Sequence, residues 1–119
     1  IFYLANTLKI PLKKIEHILE YESGLKGISQ ISSDMRDIYG KSIKKDRRAI
    51  FTIDILSYQI AKYIGSYASI LGGIDAIIFT GGMGEKAFYI REKSCNYLSH
   101  LGTKIDKKKN KTDSILCVL

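Results

Sequence analysis

The stretch that says most about the fold of this 119-residue chain is Ile74-Asp75-Ala76-Ile77-Ile78-Phe79-Thr80-Gly81-Gly82-Met83-Gly84-Glu85. Its first half is a short, near-continuous apolar run, which is typical of a parallel strand covered on both faces. The residues from Thr80 to Gly84 predict a tight turn, because three of those five are glycine. A helix is expected to follow the turn directly.

That helix is predicted over residues 85–101, with Gly102 as its stop. Two further strands are predicted after it, over residues 103–105 and 115–119. Strand, glycine turn, helix and strand make a unit of the βαβ type. The second half of the chain is therefore expected to be α/β.

The clearest helix precedes this unit and is predicted from about Asp46 to Leu71. Its apolar residues recur every three or four positions, and Gly72-Gly73 supplies the stop. The expected buried positions are Ala49, Ile53, Leu56, Ile60, Ile64, Tyr67 and Leu71.

The first 45 residues predict shorter pieces. A helix is expected from Pro11 to the break at Ser23-Gly24, and residues 24–34 predict an ordered loop or a short extended piece. Ser33 or Asp34 is expected to cap a short helix over residues 35–38, which Gly40 ends.

Composition excludes several classes of protein. A hydrophobic fraction of 45%, one proline and two cysteines exclude a disordered chain, collagen and a disulfide scaffold. The net charge of +7 is spread along the chain and no nucleic-acid recognition motif accompanies it, so no nucleic-acid partner is expected. No apolar run approaches the ~18 residues of a membrane span, so no membrane partner is expected either.

The two ends and the cysteines carry further expectations. Residue 1 is Ile rather than Met, and residues 114–119 predict a strand with no following turn, so we expect a piece of a longer chain. Cys95 and Cys117 are isolated in the sequence and are typical of thiols in a reducing compartment. A cytoplasmic location is therefore expected.

The glycines after Phe79 are the best candidates for a binding site. A strand followed by glycines and a helix start points backbone N–H groups outward, and this arrangement suits an anionic ligand. The alternative from the residues alone is a tight strand–helix turn without a ligand. Gly81, Gly82 and Gly84 are the candidates that this mechanism selects.

Two nucleotide motifs can be compared with the same segment. The chain has no G-x-x-x-x-G-K-[ST] loop, whereas Gly82-x-Gly84-x-x-Ala87 followed by Asp106 fits a dinucleotide fingerprint. The dinucleotide-binding unit of an oxidoreductase is therefore one alternative function. A non-catalytic remnant of a decayed gene, or an interaction module, is another.

A longer set of motifs resembles the acetate kinase family. The run from Tyr63 to Glu85 is similar to the family's KYIGAYxAxLGGxDAIVFTxGIGEN, and Ile90-Arg91 to its following VR. Residues 23–37 are similar to SGLxGISxxSSDxRD, and residues 101–110 to LGIxLDxxxN. The resemblance runs from about residue 11 to 110 in the same order, and it corresponds to the C-terminal portion of the family.

The resemblance implies a fold and a reaction. The fold is α/β, part of a sugar kinase/actin-like (ribonuclease H-like) domain, and residues 1–119 would be a single partial domain of its nucleotide-binding part. The family transfers the γ-phosphoryl of ATP, with Mg²⁺, to acetate and back from acetyl phosphate. Its members are usually homodimers, so a homodimer is expected of the intact protein.

The resemblance also implies the site residues. Those expected to contact the nucleotide are Asp34, Met35, Arg36, Gly82, Met83, Gly84, Glu85 and Lys86. Asp34 would accept from a ribose hydroxyl or an amine, and Arg36 would stack on the purine or pair with an anion. Lys86 stands where the family has Asn. No catalytic residue and no metal ligand is assigned to this segment, since the family's catalytic groups precede it and its late metal-binding Glu would follow. The acyl pocket is likewise expected outside it, and the chain alone is expected to be inactive.

Overall fold

The computed structural model describes residues 1–112 and the backbone of residues 116–118. The chain forms two compact units, Ile1–Thr52 and Ile53–Leu119, and each is described by itself. The α-helices are α1 (Phe2–Asn6), α2 (Leu12–His17), α3 (Gly24–Ser29), α4 (Met35–Ile43), α5 (Arg47–Leu71), α6 (Gly81–Lys86) and α7 (Phe88–Tyr97). The strands are β1 (Ala76–Ile78) and β2 (Leu116–Val118).

Residues 24–34 differ from the expected loop, because α3 occupies the first half of this segment. A π-helical turn, Ile18–Glu22, continues α2, and the predicted break falls at Ser23, whose backbone is extended. Gly24 follows with φ +58° and begins α3. The prediction of a loop was wrong because it was based on the glycines and serines of this segment. Their low helix propensity is only weak evidence against a helix, since tertiary contacts can override it.

The cap of α4 is confirmed at Asp34, whose side chain accepts from the backbone N–H of Arg36. The predicted stop at Gly40 is wrong, since the helix continues through this residue to Ile43. Glycine in a helix interior costs about 1 kcal/mol relative to alanine, which weakens a helix without ending it.

Helix α5 confirms the predicted long helix, beginning one residue later, with Asp46 accepting from the N–H of Ala49 at 2.9 Å. Its buried positions differ from the expected set at the far end, where Tyr67 and Leu71 are exposed. Small side chains carry much of the buried face instead. These buried residues of α5 are Ala49, Thr52, Ile53, Ser57, Ala61 and Ala68.

The two strands pair antiparallel, with Ile77 opposite Cys117. The expected parallel βαβ unit is therefore wrong, and Ile78, which is 65% exposed, also contradicts a strand covered on both faces. Residues 103–105 are not a strand. Of the strand predicted over residues 115–119, β2 confirms the middle three, while Ile115 and Leu119 lie outside the described residues.

The glycine segment is helical, not a tight turn, and the single helix predicted after it is two helices. Helix α6 already begins at Gly81, Ala87 separates it from α7, and Ser99–Leu101 forms a 3₁₀ turn before the predicted stop at Gly102. A cluster of buried apolar residues in the described part of the second unit joins α5, β1 and α7. Its members are Ala61, Ile77, Phe79, Cys95 and Leu98.

Candidate functional site

The first predicted segment is organised by serine and aspartate side chains around the start of α4. Ser32 Oγ accepts from the N–H of Asp34 at 3.0 Å and donates to the carboxylate of Asp37 at 2.8 Å. Ser29 Oγ accepts from the N–H groups of Ile31 and Ser32. These bonds satisfy backbone donors ahead of the helix and hold Asp34 in place.

Asp34 and Arg36 are held together by a forked contact. The guanidinium of Arg36 donates from Nε to both carboxylate oxygens, at 3.1 and 3.0 Å, and from Nη2 to Oδ2 at 2.5 Å. These bonds from the side chain, followed by the bond from the backbone N–H of Arg36, lower the pKa of Asp34 to about 2. Near neutral pH the carboxylate is therefore ionised. The same contact raises the pKa of Arg36.

The three residues of this segment differ in their accessibility. The side chain of Arg36 is 90% exposed and that of Asp34 is 38% exposed. Met35, which lies between them, is buried at 6% exposure. The segment therefore presents one ionised carboxylate and one exposed planar cation, with an apolar anchor between them.

The second predicted segment is α6, in which three glycines have three different surroundings. Gly81 has φ +72°, a conformation that favours glycine. A Cβ on Gly84 would lie 3.1 Å from the carbonyl carbon of Phe79. A Cβ on Gly82 would meet nothing within 4 Å. Backbone conformation therefore explains the glycine at position 81, and packing explains the glycine at position 84. Gly82 has neither reason, since it faces open space.

The remaining side chains of α6 are accessible to different degrees. Met83 is 40% exposed and Lys86 is exposed, while Glu85 is half-buried. The segment thus combines an apolar surface, a cation and an open glycine on six residues.

A buried arginine on α7 fastens the end of α6. Arg91 is 3% exposed, and its Nη1 donates to the carbonyl oxygens of Gly84 and Glu85 at 2.7 and 2.5 Å. Its Nε donates to Oδ1 of Asn110 at 2.7 Å, and its Nη2 to the carbonyl oxygen of Asn110. Asn110 in turn donates from Nδ2 to the carbonyl oxygen of Phe88 at 2.9 Å.

Sequence reasoning gave neither Arg91 nor Asn110 a role. Both belong to motifs of the family resemblance, but nothing in periodicity or spacing marks an arginine as buried. They lie 19 positions apart. The sequence holds a weak indication that Arg91 contacts α6. Arg91 lies in the first turns of α7, next to the apolar Ile90, and only Ala87 separates α7 from α6.

Asp106 does not have the surroundings of the dinucleotide fingerprint. Its Oδ1 accepts from the N–H groups of Lys108 and Lys109, at 2.9 and 3.1 Å, where the chain enters the 3₁₀ turn Lys109–Lys111. These two bonds lower the pKa of Asp106. The fingerprint also requires parallel strands, whereas β1 and β2 are antiparallel.

Two kinds of feature are absent from the described part of the chain. Residues 1–112 contain no group of three or more His, Cys, Asp or Glu side chains arranged to hold a metal ion. Among those same residues, no helix combines the length and the apolar character that crossing a bilayer requires.

Comparison with known proteins gives consistent matches. The family model described as "Acetokinase family" matches residues 1–117. The acetate kinase of Pseudothermotoga lettingae is 44% identical over 110 residues, and that of Clostridium acetobutylicum is 41% identical over 109. These matches cover 92% and 91% of this chain and 27% of each relative, so the chain spans about a quarter of their length.

Solved structures agree with these sequence matches. The crystal structure of Porphyromonas gingivalis acetate kinase superposes with a TM-score of 0.82 at 34% identity, covering 92% of this chain and 27% of that one. The structure of a Francisella tularensis propionate kinase gives 0.83 at 37% identity, covering 92% and 28%. The expected fold class is confirmed: α/β, part of a sugar kinase/actin-like domain.

Proposed function

The chain belongs to the acetokinase family, and on that premise we propose that it forms part of the ATP site of an acetate kinase. The reaction proposed for the intact enzyme is reversible transfer of the γ-phosphoryl of ATP to acetate, giving acetyl phosphate and ADP. The relatives named acetate kinase support acetate as the acceptor. The similar propionate kinase makes propionate the alternative acceptor.

The observation that carries the proposal is the open surface at Gly82. A glycine without a conformational or packing reason is explained when a ligand approaches the backbone closely. Gly82 has open space where a Cβ would point, while Gly84 in the same helix is packed on Phe79. We assign to Gly82 the role of letting the backbone approach the purine and α-phosphate, and we propose that its neighbours Met83 and Gly84 belong to the same binding segment.

Arg36 is the second proposed contact. Its guanidinium is exposed, yet hydrogen bonds to both carboxylate oxygens of Asp34 hold it in one orientation. Because the guanidinium plane is already oriented, little conformational entropy is lost when a base stacks on it. Asp34 would accept from a ribose hydroxyl or an amine in exchange for part of its present contact, since the bonds from Arg36 already occupy both of its oxygens. Met35, being buried, would act through its backbone.

Glu85 and Lys86 complete the proposed set. The ammonium of Lys86 is exposed and carries a charge that attracts phosphate oxygens, in contrast to the neutral amide that the family has at this position. The half-buried carboxylate of Glu85 is an acceptor near the same backbone.

The remaining parts of the reaction are assigned to the intact enzyme. Mg²⁺ would accompany the nucleotide phosphates and neutralise their charge. Residues 1–112 contain no group of three or more His, Cys, Asp or Glu side chains that could hold this ion, so we expect its protein ligands elsewhere in the intact enzyme. We place the catalytic groups and the acyl pocket outside this segment, and we propose that the intact enzyme is a homodimer and lies in the cytoplasm. The chain alone is expected to form no acetyl phosphate.

A titration with ADP carrying a fluorescent N-methylanthraniloyl group (mant-ADP) tests the proposal on the 119-residue chain. We expect saturable binding that ATP displaces and that Arg36→Ala weakens about 3- to 30-fold, the loss of one cation–π contact. Arg47→Ala is the matched control, since Arg47 is also an exposed arginine of the first unit, and it should bind as the unaltered chain does.

Two outcomes contradict the proposal. Displacement of mant-ADP by NAD at lower concentration than by ATP would favour the oxidoreductase alternative. Equal affinity of the Arg36→Ala and Arg47→Ala chains would remove Arg36 from the site. An assay for acetyl phosphate on the same chain should stay at background, and activity that Arg36→Ala abolishes would overturn the expected inactivity.

A further inference from the structure

The second unit contains a buried arginine, Arg91, whose hydrogen bonds have no role in the function proposed above. A buried guanidinium requires acceptors for its donors, because an unpaired buried charge is costly. The four hydrogen bonds of Arg91 end on three backbone carbonyls and one side-chain amide. Two of these carbonyls belong to Gly84 and Glu85 on α6, and the other two acceptors belong to Asn110.

The contacts on α6 fall where that helix has free acceptors. The last four carbonyls of any helix lack intrahelical donors, and Gly84 and Glu85 lie in the last turn of α6. A cation is also favoured at a helix C-terminus. Arg91 therefore both satisfies these carbonyls and complements the helix dipole from the neighbouring helix.

Asn110 extends this contact to the loop after α7. It accepts from Arg91 through Oδ1 and donates to the carbonyl of Phe88, the first residue of α7. Asn110 is itself buried, at 5% exposure. The end of α6, the start of α7 and the turn at Asn110 are thus tied together by two buried side chains.

We infer that Arg91 is a positioning residue for nucleotide binding, which with Asn110 fixes the backbone direction of Gly82 to Lys86 without touching the ligand. The inference rests on the proposed function of α6. Only six residues long, this helix has little stability of its own. The Arg91–Asn110 contact supplies the rigidity that a binding segment needs before its ligand arrives.

The test compares three variants of the 119-residue chain, each kept well below its melting temperature. Arg91→Lys keeps the cation but has no planar fork to reach four acceptors. Asn110→Ala removes the side-chain acceptor and donor and leaves Arg91 in place. Lys93→Gln is the matched control. It also removes a cation from α7, but the ion-pair partner of Lys93 is Asp54 on α5 and not a residue of α6.

Two readouts separate positioning from general stability. Amide hydrogen exchange without nucleotide reports the order of α6, and titration with mant-ADP reports affinity. We expect Arg91→Lys and Asn110→Ala to raise exchange at residues 82–86 but not in α5, and to weaken mant-ADP binding about three- to tenfold. Lys93→Gln should leave both readouts close to those of the unaltered chain.

The outcomes decide the inference and the proposed function separately. Faster exchange in α6 with unchanged affinity would overturn the positioning role, and so would unchanged exchange in both variants. A comparable rise of exchange in α5 would indicate a general structural role and would also overturn it. Failure of the unaltered chain to bind mant-ADP would overturn the proposed function itself, and the positioning role with it, whatever the exchange data show about α6.

Discussion

Gly84 lies so close to Phe79 that a Cβ added to it would be 3.1 Å from the carbonyl carbon of Phe79 and 3.4 Å from its Cβ. Helix α6 therefore rests directly on the chain that leaves β1. Phe79 is buried in the core cluster of the second unit, so it has little freedom to move away. Packing against Phe79 therefore favours glycine at position 84.

Substitution of Gly84 by alanine is expected to destabilise the chain by about 1–3 kcal/mol, the usual cost of forcing an extra methyl group into a packed contact. Chemical denaturation measures the change in the free energy of unfolding. Gly82→Ala is the control, since it places the same methyl group in open space in the same helix. Equal destabilisation by the two substitutions would contradict the packing explanation.

Gly82→Ala is expected to weaken nucleotide binding while leaving stability unchanged or slightly higher, because alanine favours a helix and a methyl group would stand where the ligand approaches. The measurement is a mant-ADP titration beside a thermal melt. Unchanged affinity in a chain of normal stability would show that no ligand approaches this position.

Lys86→Asn is expected to reduce the salt dependence of mant-ADP binding. The exposed ammonium attracts phosphates through an interaction that salt screens, whereas an amide carries no charge. Titrations at low and high ionic strength measure the slope of mant-ADP affinity against salt concentration. Lys104→Asn, which removes another exposed lysine of the second unit, should leave the slope unchanged. The same slope for all three chains would exclude a phosphate contact by Lys86.

Asp34 is expected to make stability depend on pH in the acid range. Its pKa falls from 3.8 to about 2 on folding, so the ionised carboxylate stabilises the folded chain above about pH 4, and this contribution is lost as the pH falls towards 2. Asp34→Asn keeps a capping oxygen but not the charge. The melting temperatures of the two chains should therefore differ near neutral pH and converge in acid. A difference that stays constant with pH would contradict this assignment.

Leu98→Ala is expected to cost about 2–5 kcal/mol, because it removes a buried side chain from the core cluster and leaves a cavity. Leu98 is 2% exposed, whereas Leu101, only three positions later, is 38% exposed. Leu101→Ala should therefore cost clearly less in the same denaturation experiment. An equal decrease in the free energy of unfolding for Leu98→Ala and Leu101→Ala would contradict the assignment of Leu98 to the core of this unit.

Local patterns predicted the elements that local physics decides. The 25 residues of α5 were found within one residue of the predicted start, because a long amphipathic period and two following glycines leave few alternatives. Asp34 was correctly named as a possible cap, since a short carboxylate before an apolar turn satisfies free N–H groups.

The errors have a common cause in contacts between distant residues. The direction of β1 against β2 depends on a partner about 40 positions away, and an apolar run does not encode it. The glycines of α6 suggested a turn because their intrinsic helix propensity is low, yet packing on Phe79 and the bonds from Arg91 hold them in a helix.

The amino-acid sequence by itself determined the family, the long helix and the segments proposed to meet the nucleotide, because motif identity and apolar period are properties of neighbouring residues. Only the tertiary structure decided which glycine is open and which is packed, and that Arg91 is buried on the carbonyls of Gly84 and Glu85. Such differences arise from van der Waals contact and hydrogen bonding between residues brought together by folding, and no linear spacing specifies them.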